Sequence, residues 1–109
     1  MNAKTESPVS MEQKITVWKE KYGAIYAYEV ENDKGEMVTA YFKRPERRIV
    51  SAAQAELVRG NVMKYNETIL KNSLLEGAEE ILSDDTLFYG LSQKVDEIVG
   101  ARVGELKKL

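Results

Sequence analysis

Two clusters of ionisable side chains are the parts of this sequence with chemistry to offer. Lys43-Arg44-Pro45-Glu46-Arg47-Arg48 sets four basic residues beside one acidic residue, and guanidinium groups bind phosphate oxygens well. Glu76, Glu79, Glu80, Asp84 and Asp85 form the opposite pole, with no base among them. Carboxylates at that density suit a hard cation, but their spacing does not match an EF-hand loop. Asp84 and Asp85 also have a prior use as favourable charges at the start of a helix. Nothing nearby completes a catalytic set. The chain holds no cysteine and no histidine, so it has no thiol nucleophile, no thiolate ligand and no imidazole base. Ser-His-Asp and Cys-His arrangements are excluded. The expectation is a protein that is not an enzyme and carries no metal or cofactor.

The elements that must position these clusters follow from a chain of ordinary globular composition. It has 109 residues, 43% hydrophobic and 31% charged, with a net charge of -2. One domain is expected, and no overall attraction to nucleic acid. No segment approaches the roughly 18 apolar residues of a membrane span. Met1 to Ser10 is polar and reads as a disordered leader, not a secretory signal, leaving a single domain over residues 11–109.

Ser10 and Gln13 make a capping-box pattern. Met11, Ile15, Trp18 and Tyr22 then recur at helical spacing up to Gly23, placing the single tryptophan on the buried face. From Ile25 to Glu31 the period changes to two. Asn32-Asp33-Lys34-Gly35 is a turn sequence, and a second strand follows from Glu36 to Lys43. After Pro45, Ile49, Ala52, Ala53 and Leu57 lie on one helical face up to the break at Gly60-Asn61. Asn61 is placed to cap a helix running to about Glu76. Ser83 is placed to cap a last helix with the stripe Leu87, Phe88, Leu91, Val95, Ile98, Val99, Val103 and Leu106. The order is helix, β-hairpin, three helices: a mainly helical α+β domain.

Tyr26, Tyr28 and Tyr41, with Phe42, are more rings than one small ribbon buries alone, so the hairpin is a candidate partner surface. The C-terminal helix is a second candidate, through Leu91, Val95 and Val99. Gly90, Gly100 and Gly104 interrupt its pattern, and each glycine in a helix interior costs about 1 kcal/mol. Fraying or a break over Gly100 to Gly104 is therefore favoured over close approach of a second helix, with the tail a candidate contact surface. The basic corner fits two readings, an anion-binding site made of Arg44, Arg47 and Arg48, or a solvated corner of the fold. The second is favoured, because no aromatic residue is interleaved and no DNA-binding motif is present.

The string Ala40-Tyr41-Phe42-Lys43-Arg44-Pro45-Glu46-Arg47 resembles small proteins of bacteriophages and prophages that look like tail assembly chaperones. Ser51-Ala52-Ala53, Asn66-Glu67-Thr68-Ile69-Leu70-Lys71-Asn72, Glu79-Glu80-Ile81 and Asp84-Asp85-Thr86-Leu87-Phe88 extend the resemblance over roughly residues 15–100. Ser73-Leu74-Leu75 departs from the tryptophan or cysteine often found there. The resemblance implies a non-enzymatic role in virion assembly in the bacterial cytoplasm. It implies a phage tail or tape-measure-type protein as partner, with self-association as a further possibility. The alternative is a small nucleic-acid-binding regulator using the basic corner, Lys43 to Arg48.

Overall fold

The computed structural model describes residues 10–109. Of the leader expected over residues 1–10, all but Ser10 lies outside the described residues. Ser10 starts α1 (Met11–Tyr22) as read: its Oγ accepts from the Gln13 amide at 3.2 Å, and the Gln13 Oε1 accepts from the Ser10 amide at 3.1 Å. The hairpin also forms as read, from β1 (Ile25–Glu31) and β2 (Met37–Lys43). Asn32 closes its turn by accepting from the Lys34 and Glu36 amides at 3.0 and 2.9 Å.

The register decides what each strand presents. Tyr26 faces Phe42, Tyr28 faces Ala40 and Val30 faces Val38, and this side packs on the helices. Ala27 opposite Tyr41 and Glu29 opposite Thr39 lie on the other side. Arg47–Val58 and Val62–Ser73 form α2 and α3, the latter capped by Asn61, whose Oδ1 accepts from the Lys64 amide at 3.0 Å.

Beyond Ser73 the structure departs from the expected two long helices. α3 stops there, and Leu74–Gly77 turns extended as β3, adding to β2 as the third strand of an antiparallel sheet ordered β1-β2-β3. The pairing runs Ala40 to Gly77, Tyr41 to Glu76 and Phe42 to Leu74, with a bulge at Tyr41/Phe42. A free edge on β2 gives this apolar run hydrogen-bond partners that further helix would not. Three short helices follow: α4 (Glu80–Ser83), α5 (Asp85–Ser92) and α6 (Val95–Val99). The cap of α5 is Asp84, not Ser83. Its Oδ1 accepts from the Leu87 amide at 3.0 Å and from the Thr86 hydroxyl at 2.7 Å, and these bonds hold its carboxyl below the usual carboxylate range. Gly100 takes the left-handed conformation, φ 68°, and ends α6. Residues 101–109 therefore form no helix and are exposed throughout, so Val103 and Leu106 do not continue the apolar stripe.

The core gathers Ala40 and Phe42 from β2, Ala53 from α2, Ile69 and Leu70 from α3, and Ile81, Phe88, Leu91, Val95 and Ile98 from the last three helices. Burying a large apolar side chain completely contributes about 1.5–3 kcal/mol. α1 buries no residue fully. It lies against the outer side of the sheet, where the Trp18 and Tyr41 ring centroids are 5.7 Å apart and the Lys14 Nζ meets Glu76 Oε1 at 2.9 Å. The Cα radius of gyration is 17.1 Å, against roughly 13 Å for a compact domain near this length. The difference is consistent with a C-terminal segment that leaves the body.

Candidate interaction surfaces

The hairpin tyrosines do not form one patch. Tyr26 and Tyr28 are half-buried on the helix-facing side and pack against the core, whereas Tyr41 points to the opposite side and meets Trp18. Period two separates neighbours by face, so Tyr41, opposite Ala27, could not share a side with Tyr26 and Tyr28. The Tyr28 hydroxyl reaches α5 at Gly90, where it would lie 3.1 Å from an added Cβ. A glycine inside that short helix makes room for the phenol. Leu91 and Val95 are core residues, 0% and 2% exposed, and Val99 is half-buried against the same core. The C-terminal helix face expected as a partner surface is thus the face that closes the domain.

In the basic corner, Lys43 and Arg44 contact other elements of the fold. Arg44 donates from Nε to the Tyr26 hydroxyl at 3.2 Å. Its guanidinium lies on Gly100, where an added Cβ would come within 2.6 Å of Nε. The arginine thereby joins the end of β2 to the end of α6. Arg48 pairs with Glu46 at 3.1 Å with both side chains exposed, an arrangement that contributes about 1 kcal/mol at most. Arg47 is exposed and has no ion-pair partner among the described residues. Lys43 sits 4.7 Å from the centre of the Tyr22 ring, a cation–π contact that fastens α1. Lys43 and Arg44 thus hold neighbouring elements together, whereas Arg47 and Arg48 stand in solvent.

The acidic run is dispersed in the same way. Glu76 pairs with Lys14, Glu80 accepts from the Asn32 side chain at 3.2 Å, and Asp84 caps α5. Among the described residues no three histidine, cysteine, aspartate or glutamate side chains come together as a metal site requires. The Tyr65 hydroxyl is pushed above its ordinary range, by burial first and by the Asp96 charge second.

Two of the concavities among the described residues lie between packed elements. A cavity of about 150 Å³ lies between β1 and α6, lined by Tyr26, Tyr28, Phe42 and Ile98, with Lys94 and Glu97 at its rim. A groove of about 230 Å³ lies between α3 and α5, lined by Met63, Leu82, Phe88 and Tyr89 together with Glu67, Lys71 and Asp85.

Two exposed apolar sets stand out, of which sequence reasoning missed the first. Leu57, Val58 and Val62 flank the α2–α3 turn, and Val58 is 89% exposed. Val103, Leu106 and Leu109 are wholly exposed beyond α6. The first was signalled by valines directly beside the Gly60-Asn61 break, where a solvated turn is normally polar. The second was signalled by Gly100 and Gly104.

No protein-family model and no curated protein matches the chain. A solved structure, that of an uncharacterised protein, RBSTP2171, from Bacillus stearothermophilus, superposes with a TM-score of 0.52 at 22% sequence identity. The match covers 86% of this chain and 99% of that one. At that identity the likeness is one of fold: this chain shares its α+β architecture with the bacillar protein.

Proposed function

We propose that this protein acts by binding another protein, without catalysis, in the manner of the bacteriophage tail assembly chaperones its sequence resembles. Its partner in that reading is a long helical tail protein of tape-measure type, kept soluble until the tail assembles. The observation that carries the reading is the apolar tip of the α2–α3 pair. Leu57, Val58 and Val62 stand together at the end of two packed helices, exposed by 41%, 89% and 59%. Arg59 and Glu56 beside them are already paired with each other at 2.7 Å. Such an apolar end on a rigid helical support fits against the apolar seam of an extended helical partner, and exposed apolar clusters with a polar surround commonly mark interfaces.

Co-expression with the long helical tail protein encoded nearest to this one is the test. The intact chain is expected to keep that partner soluble and to co-purify with it in fixed proportion. Val58→Asp combined with Val62→Asp is expected to leave the circular dichroism spectrum unchanged and to weaken binding by about 2 kcal/mol or more, the loss typical of an interface anchor. Undiminished co-purification by the double variant would remove the tip from the mechanism. A partner that aggregates while the intact chain elutes alone would remove the chaperone reading itself.

A further inference from the structure

The exposed C-terminal segment and the α3–α5 groove have matching chemistry. Residues 101–109 carry Val103, Leu106 and Leu109 at intervals of three, with Arg102 before them and Lys107 and Lys108 between the last two, against a single Glu105. The groove floor carries the apolar side chains Met63, Leu82, Phe88 and Tyr89, and Glu67, Lys71 and Asp85 complete its lining. At one end it adjoins the most acidic stretch of the chain, where Asp84 and Asp85 open α5. Glu67 stands on the α3 side, 3.5 Å from Lys71. Met63 and Tyr89 are 40% and 51% exposed, so the groove is open to an occupant.

The spacing of the apolar residues suits an extended occupant. A threefold extended backbone turns once every three residues and rises about 3.1 Å per residue, so Val103, Leu106 and Leu109 fall on one side. They span roughly 19 Å, and Gly104 carries no helical penalty in that conformation. The segment does not lie on its own domain: all nine of its residues are exposed, and Gly100 turns the chain away at the end of α6.

We propose that residues 101–109 of one copy dock in the α3–α5 groove of a second copy, apolar side chains on the groove floor and lysines toward Asp84 and Asp85. Reciprocal exchange closes the assembly as a twofold dimer. This surface is separate from the α2–α3 tip, so it stands or falls independently of the partner-binding reading.

Sedimentation equilibrium of the full chain across a wide concentration range tests it. The expected result is a monomer–dimer equilibrium that weakens as salt is raised, because exposed charges are screened. Leu106→Asp with Leu109→Asp, at positions wholly open to solvent, is expected to weaken dimerisation at least about tenfold, equivalent to about 1.4 kcal/mol. Met63→Glu is expected to do the same from the groove side, with Tyr89→Glu as a second groove variant should the first perturb the fold. Mixing the tail variant with the groove variant should restore a weak heterodimer, since one intact tail then meets one intact groove. A dimer indifferent to both changes would overturn the proposal, as would a chain monomeric at every concentration. A monomer whose tail resonances move when Met63 is replaced would place the segment in its own groove, and that also overturns the exchange.

Discussion

Phe42→Ala is expected to cost about 3–5 kcal/mol of folding stability, as truncation of a fully buried phenylalanine does. Domains of this size are stable by about 5–15 kcal/mol in total, so the variant should be marginal at room temperature. Phe42 is 0% exposed and is paired to Tyr26 on one side and to Leu74 on the other. Removing the ring therefore empties the position where all three strands meet the helical layer. Chemical denaturation of the variant, beside Met37→Ala from the same strand as a control, makes the comparison. Met37 is 64% exposed, and its replacement should stay within about 0.5 kcal/mol. A loss below 1 kcal/mol for Phe42→Ala would show that the sheet and the helices are not packed as described.

Gly77→Ala is the second large expected effect, on the order of 3 kcal/mol, because it combines overpacking with backbone strain. A Cβ at position 77 would lie 2.5 Å from the Ala40 Cα, 2.6 Å from its Cβ and 2.9 Å from the Thr39 carbonyl oxygen. Two of those three obstacles are backbone, so no side-chain rotation relieves them. β3 has to move off β2, and the Ala78 amide to Thr39 carbonyl bond of 3.2 Å goes with it. Adding Ala40→Gly removes only the Cβ obstacle, so the double variant should recover a part of the loss and not all of it. A double-mutant cycle by denaturation measures that coupling. Hydrogen exchange at the Ala78 amide reports whether the strand has separated. Wild-type stability in Gly77→Ala would mean that the two backbones are not in close contact.

What could be read from the chain beforehand was the structure that neighbours in sequence dictate. The Ser10–Gln13 box, the Asn32 turn and the Asn61 cap each depend on residues within four positions, and each formed as expected. The α+β class followed from the change of period at Ile25. β3 was not legible, because Leu74 and Leu75 also continue the helical stripe of α3. What makes them a strand is the vacant edge of β2, more than thirty positions earlier in the chain. The stripe from Leu87 to Leu106 stops at Gly100, where a break was the favoured reading: spacing is indifferent to that glycine, whereas the backbone is not.

The surfaces were less legible than the elements. Alternation told Tyr28 from Tyr41 by face but not which face the helices would cover. Leu91 and Val95 proved to be interior, since an apolar stripe looks the same whether it meets its own domain or another chain. The partners of Arg44, Tyr26 and the backbone at Gly100, were not legible because they are distant in sequence.

The docking of α1 has an optical consequence. The only tryptophan of the chain rides on the helix that buries nothing fully and is held by one ion pair, one ring pair and one cation over Tyr22. Indole emission therefore reports whether that arm rests on the outer side of the sheet. Far-ultraviolet circular dichroism is dominated by the rest of the molecule. The two signals should fall at different denaturant concentrations, fluorescence first. Such a mismatch is ordinarily taken to reveal a folding intermediate, but in this protein it would mark the release of an arm from an intact body.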